Sequence, residues 1–307
     1  MKTLTLTNDL GAGLEASFAP AAGMIGCSLR DRGEELLGQR RGLDAYVAEG
    51  STMGIPLLHP WANRLSRDRL EVGGGEIDLG SSALRLKRDG NGLAMHGLLT
   101  AASGWRVDEH EPAGDVPGLR ASFDCAADAD LLAAFPFPHR LLYEARLSAT
   151  TLTISLTVES TGDAAVPISF GFHPYLRLPG VERSAWEIEV PVERRLVLDE
   201  RMLPTGERVA GTIDDGPLGE RSFDDAFEAP ADGAPFALEG GGRRIELAFL
   251  SGYPLAQVFA PPGDELIAFE PMTAPTDALV RGGPELTLLA PGEAYSAAFS
   301  IQVTEPG

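Results

Sequence analysis

Between residues 152 and 158 the chain alternates strictly. Leu152, Ile154, Leu156 and Val158 are apolar, and Thr153, Ser155 and Thr157 between them are polar. A period of two is the signature of a β-strand with one buried and one wet face. The pattern returns where Trp186, Ile188 and Val190 alternate with Glu187 and Glu189. Leu4 and Leu6, Ile245 to Leu250, Leu286 to Leu289 and Ala297 to Val303 read as further strands. Spread among such segments are 36 Gly and 23 Pro, which punctuate the chain as turns do in an all-β protein. Helical patterns are confined to Leu43–Glu49 and Ala127–Phe135. Many strands with few helices predict an all-β chain folded as a large antiparallel β-sandwich. There is no internal repeat, and Gly73–Gly75 and Gly240–Gly242 are too short to act as linkers. A single domain over residues 1–307 is therefore expected, since large sandwiches stay undivided at this length. Val209–Gly242 reads as a long loop excursion over one end of a sheet, where sites tend to lie.

Charge narrows the partners. With 25 Lys+Arg against 45 Asp+Glu, the net charge of −20 argues against nucleic-acid backbones and anionic membrane surfaces. No run approaches the roughly 18 apolar residues of a membrane span. The opening MKTLTLTNDLGAGLEASF lacks the continuous apolar stretch of a signal peptide, so a cytoplasmic location is expected. Cys27 and Cys125 read as buried thiols in a reducing compartment, with a single disulfide as the alternative. No CxxC or HExxH spacing is present, and no metal is predicted.

Five segments place polar residues in apolar surroundings: IPLLHPWANRL (55–65), GLAMHGLLT (92–100), SFGFHPYLRLPG (169–180), SFDDAFEAP (222–230) and LIAFEPMTAPTDAL (266–279). Alternation puts Phe170 and Phe172 on one face and Gly171 and His173 on the other. Pro174 favours an extended backbone at His173, and Gly171 leaves space beside the imidazole. Likewise Ile267 and Phe269 oppose Ala268 and Glu270. A carboxylate among apolar residues needs a partner or a function, and burial would raise its pKa toward that of a general base. Leu93 and Met95 oppose Ala94 and His96. Ala62 precedes Arg64 by two residues, and Ser222 precedes Asp224. If the chain is extended at each place, every candidate has a small neighbour on its own face, leaving room for a small polar ligand over a sheet. The ordinary readings are a structural histidine, an exposed strand-end glutamate, a surface ion pair for Arg64 and a turn aspartate at Asp224, with Asp225 an equal candidate. His59, His110 and His139 read as structural or exposed. Trp61, Trp186 and Tyr175 read as core or rim aromatics, Tyr175 being near enough to His173 to line a pocket.

In this order, PWANRL, MHGLL, FHPYL, the aspartate and FEPMTAP resemble the aldose 1-epimerase (mutarotase) family, over about residues 15–303. The resemblance implies a galactose mutarotase-like supersandwich and a cofactor-independent isomerase that interconverts the α and β anomers of a free aldohexose. It makes Glu270 the general base, His173 the general acid and His96 a histidine that orients the sugar near its ring oxygen. Asp224, Asn63 and Arg64 would bind sugar hydroxyls. It calls for no metal and no cofactor, a sugar as small-molecule partner, and a monomer or homodimer. Asp225 stands where many galactose-type members have a histidine, which leaves the preferred sugar open.

The residue types suit the reaction. Opening a cyclic hemiacetal requires one group to take the anomeric hydroxyl proton while another protonates the ring oxygen, and a carboxylate with a histidine supplies that pair. A glycoside hydrolase would need two carboxylates flanking the bond. A hexose-6-phosphate 1-epimerase would need extra cations, for which Arg67, Arg69 and Arg177 are candidates. A non-catalytic carbohydrate-binding member of the fold would lack the acid or the base. The acidic charge of the chain fits an uncharged sugar and sits less easily with a sugar phosphate.

Overall fold

The computed structural model describes residues 1–8 and 13–305. Its largest sheet has nine strands, with His139–Leu147, Thr151–Ser160, Ala294–Thr304 and Arg243–Ser251 adjacent in that order. Alternation builds it: Leu152, Ile154, Leu156 and Val158 are each at most 1 % exposed, while the Thr and Ser residues between them are half-buried. An eight-stranded sheet faces it. There Phe223–Glu228, Leu255–Ala260 and Ile267–Met272 lie side by side, followed by the short strands Gly171–Phe172 and Leu57–Leu58. Aromatic rings lock the two layers together. Phe269 stacks on Phe236 with centroids 5.1 Å apart, and Phe172 meets Phe299 at 5.1 Å. A third sheet of five strands carries Leu4–Asn8, Leu14–Ala19 and Ile25–Asp31, and its Phe18 packs edge-on to Tyr143 of the nine-stranded sheet. Among the described residues nearly all pairing is antiparallel, Leu4–Asn8 with Ala113–Gly114 being a parallel exception.

The two longer helices lie where the periodicity puts them, at Gly42–Glu49 and Ala129–Ala134, and a further single turn, Ala278–Arg281, was not expected. The second starts at Asp128, whose carboxylate accepts a hydrogen bond from the Leu131 amide and so satisfies a first-turn donor. No described helix is long and apolar enough to cross a membrane. Cys27 and Cys125 are free, buried thiols.

One expectation is overturned. Val209–Gly242 is no loop excursion: it contains the strands Phe223–Glu228 and Phe236–Gly240, one in each of the two large sheets. Consecutive acids in Phe-Asp-Asp-Ala-Phe hide the alternation, because each carboxylate finds a cation on its own side of the sheet. Asp224 meets Arg64 and Asp225 meets Arg195.

The central strands of the eight-stranded sheet differ from those of the nine-stranded one. Ile267–Met272 is buried at every position. One face, with Phe269, enters the core; the other, with Ala268, Glu270 and Met272, is covered by other parts of the chain, His173 lying on Glu270 and Leu58, Ala62 and Leu196 packing with Met272. That covered face holds the site.

Candidate active site

Strand register creates the constellation. Gln257 stands directly opposite Glu270, and Ala226 opposite Gln257. In the next row Asp224 pairs with Phe259, Phe259 with Ala268, and Ala268 with Tyr175. Because side chains two apart share a face, Asp224, Gln257 and Glu270 form a diagonal across three strands. Ala268 is the small member of its row. His173 lies there, stacked on Tyr175 at 4.0 Å and edge-on to Phe259 at 5.4 Å between centroids. Its Nε2 is 3.2 Å from Glu270 Oε1. His96 meets His173 edge-on at 5.8 Å.

The remaining groups arrive on turns. Asn63 and His96 have positive φ, +56° and +64°, a strained region for residues with side chains, and the two turns are tied together by a 2.8 Å bond from the His96 amide to the Asn63 carbonyl. Arg64 then makes three contacts. It donates to Asp89 Oδ2 at 2.9 Å, to Asn63 Oδ1 at 2.7 Å and to Asp224 Oδ2 at 3.3 Å. Gln257 donates to the other oxygen of Asp224 at 2.6 Å. Asp224 is thus oriented from two sides, whereas Asp225 points to the opposite face.

The structure therefore brings Glu270, His173, His96, Asp224, Asn63 and Arg64 into one place. It corrects the argument from small neighbours. At Arg64 and His96 the positive φ just before or at the residue breaks the extended chain, so Ala62 and Ala94 do not share a face with them by alternation. Gly171 leaves no ligand space either: a Cβ there would stand 2.6 Å from the Pro271 carbonyl oxygen and 3.0 Å from the Ala62 methyl. Close approach of the strands, not a cavity, requires that glycine.

Sequence reasoning missed Gln257, Asp89, Lys87, Arg40 and Thr52. Gln257 could have been found as the polar residue in the apolar strand LAQVFA. Asp89 closes a turn, accepting from the Asn91 and Leu93 amides as well as from Arg64. Burial works against its charge, but these donors prevail and lower its pKa. Lys87, Arg40 and Thr52 lie in no motif and reach the site only through the fold.

Electrostatics set the site apart. Burial, then the charge of Asp224, pushes the Glu270 carboxyl well above the usual range, while Arg64 and Lys87 oppose the shift. Burial holds His173 and His96 well below the usual imidazole value, with Lys87 the leading charged neighbour of each. Four buried polar atoms here have no protein hydrogen-bond partner: Glu270 Oε2, His173 Nδ1, His96 Nδ1 and Gln257 Oε1. Buried polar atoms are normally satisfied, so four in one place mark where a hydroxyl-rich molecule would bond.

The other histidines fall outside this face. His110 is partly buried against the Thr5 carbonyl. His59 and His139 form a buried pair, Nε2 to Nε2 at 2.8 Å, and Cys125 Sγ lies with them, all three ligand atoms within 4.8 Å of one another. Ring centroids 5.0 Å apart show the two nitrogens pointing at one another, which is hydrogen-bond geometry. Trp61, Trp186 and Tyr175 are all at most 2 % exposed, Tyr175 lining the site. Arg69 is engaged by Glu76 and Arg177 by Glu265. A cleft of about 980 Å³ is lined by Glu189, Arg194, Asp214, Glu228 and Glu246, and none of the six motif residues lines it.

The sequence model for aldose 1-epimerases matches residues 2–302. Comparison with curated proteins finds no match. Several solved structures share the fold. A galactose mutarotase-like protein from Clostridium acetobutylicum superposes with a TM-score of 0.82 at 19 % identity, over 96 % of this chain and 94 % of that one. The Slr1438 protein of Synechocystis gives 0.78 at 23 % identity, over 99 % and 96 %. A galactose 1-epimerase from Lactobacillus acidophilus gives 0.75 at 14 % identity over the whole of both chains. These likenesses establish a galactose mutarotase-like fold, and with the family match over nearly the whole length, the chain belongs to the aldose 1-epimerase family.

Proposed function

We propose that this protein catalyses the anomerisation of an aldose by general acid–base opening and reclosure of the pyranose ring, without metal or cofactor. The carrying observation is the 3.2 Å contact of His173 with Glu270, in a site where four buried polar atoms await partners. Glu270 removes the proton of the anomeric hydroxyl as the C1–O5 bond breaks and C1 becomes a carbonyl. His173 delivers its proton to O5. Rotation about C1–C2 turns the aldehyde over, and the same groups act in reverse. Burial favours the neutral form of the pair, an acid beside a free imidazole. Arg64 and Lys87 favour the carboxylate, Lys87 and Arg40 oppose the imidazolium, and the hydroxyls of a bound sugar favour the working form, carboxylate beside imidazolium. His96 orients the ring-oxygen end, and Asn63, Arg64 and Asp224 hold hydroxyls.

Retention of both the acid and the base favours an enzyme over a binding module of the same fold. We take the chain as one domain, because the site draws on residues from 40 to 270. The free thiols suit a reducing cytoplasm. Exchange NMR between α and β anomers tests the reading: the full chain should speed the exchange, and Glu270→Gln should abolish most of that gain. No acceleration of any aldose, neutral or anionic, overturns it.

A further inference from the structure

A lysine ammonium in the site has no carboxylate within ion-pair distance among the described residues. Lys87 lies on the segment beside His96: its carbonyl accepts from the Met95 amide at 2.9 Å. Among the described residues its Nζ reaches only the Thr52 hydroxyl, at 3.4 Å. Thr52 in turn bonds the Tyr175 hydroxyl at 2.7 Å, and Tyr175 is the ring stacked on His173. On the same Tyr175 ring lies a second cation, the Arg40 guanidinium, 5.6 Å from the centroid. Arg40 has a half-exposed partner at the rim, Asp264 at 3.4 Å, the kind of pair that adds little stability and is readily exchanged. Arg64 is fully committed to Asp89, Asn63 and Asp224.

Two cations flanking one aromatic–hydroxyl pair repel one another, and a partly buried ammonium held by one long hydroxyl contact is poorly compensated for its lost water. Consistent with this, burial and the neighbouring Arg40 bring Lys87 down to about 8, with Glu270 opposing and Arg64 reinforcing the shift. A neutral sugar hydroxyl would not offset that cost; an anionic group placed between the cations would. We propose that Lys87 and Arg40 form an anion subsite beside the catalytic pair, and that the preferred aldose carries a carboxylate or a phosphate on the carbon chain next to the ring oxygen. Net charge is no obstacle, because the −20 is carried by the whole chain and what an anion would meet here is the pair of cations beside Tyr175.

The inference rests on the epimerase reading, and one experiment separates the two. Exchange NMR on equilibrated D-glucose, D-glucuronate and D-glucose 6-phosphate gives kcat/KM for each as the increment over the uncatalysed rate. At least one anionic sugar should exceed glucose by about tenfold or more, and which one does tells carboxylate from phosphate. In Lys87→Met that preference ratio should collapse by about tenfold, and in Lys87→Arg it should largely survive, which guards against a folding defect. Equal or better turnover of glucose by the unaltered protein, or a Lys87→Met loss that leaves the ratio unchanged, overturns the anion subsite while the epimerase reading stands. If no sugar is turned over, calorimetry decides: glucuronate or glucose 6-phosphate binding that Lys87→Met weakens tenfold upholds the subsite, and no such binding overturns it.

Discussion

Gln257 faces Glu270 across adjacent antiparallel strands, and its amide holds Asp224 at 2.6 Å. One side chain thereby sets the orientation of a carboxylate two strands from Glu270. Replacing it with Leu leaves Asp224 free to turn toward Arg64. A hydrogen bond to a charged acceptor is worth about 1.5–3 kcal/mol, so Gln257→Leu should raise KM roughly tenfold or more and lower kcat less. Equal losses in kcat and unchanged KM would show Gln257 acting on the chemistry instead.

Glu270→Gln keeps the shape of the buried site and removes the carboxylate proposed as the base. A positioned acid or base contributes ~10²–10⁴ in rate, and Glu270→Gln should lose that factor in kcat with little change in melting temperature. His173→Asn should behave alike, and the double variant should lose little more than either single one, because the two act as a unit.

The acid limb of the rate profile should lie above the normal carboxylate range, because burial and Asp224 raise Glu270. Protonation would disable the proposed base, so kcat/KM should fall as pH drops through that limb. Lys87 stabilises the carboxylate, and Lys87→Met should move the limb to higher pH. An unmoved limb, measured with a neutral sugar, would place Lys87 outside the field of the base.

His59 and His139 predict acid sensitivity. Burial brings His139 down to about 4 and holds His59 well below the usual value. The unfolded chain takes up these protons below about pH 6.5 while the folded chain does not, so stability falls as pH drops from 6.5 to about 4. His139 alone accounts for roughly 2–4 kcal/mol at the lower end. Denaturant unfolding at pH 7 and pH 5 checks this, and a His139→Gln variant should show a flatter pH dependence.

Gly97 follows His96 at φ +71°, and a Cβ there would stand 2.1 Å from the His59 carbonyl oxygen. That carbonyl accepts the Leu98 and Leu99 amides, so the clash falls on the turn that carries His96. Gly97→Ala should cost about 2 kcal/mol or more and lower the melting temperature together with activity.

Much of the fold was legible. In Thr151–Ser160 the alternation of the sequence is the alternation of burial, because one face of that strand meets the core and the other meets water. The rule fails where both faces are covered or both carry charge. Ile267–Met272 is buried throughout, and Phe223–Glu228 hides its strand behind two aspartates. At the site, the motif residues could be named in advance, but the reason offered for their neighbours was wrong at Gly171, Ala62 and Ala94, since φ at Asn63 and His96 is decided by turns that no periodicity encodes.

By itself the sequence determined the all-β class, the positions of the two longer helices, the family and the choice of six motif residues that the fold brings together, because these depend on local period and on short motifs. Only the tertiary structure decided that Asp224 and not Asp225 faces Arg64, that Gln257 joins the carboxylates, and that Lys87 and Arg40 flank Tyr175. Those relations depend on strand register and on which distant turns cover one face of a sheet, and residues 40, 87, 175 and 270 carry no mark of their proximity until the chain has folded.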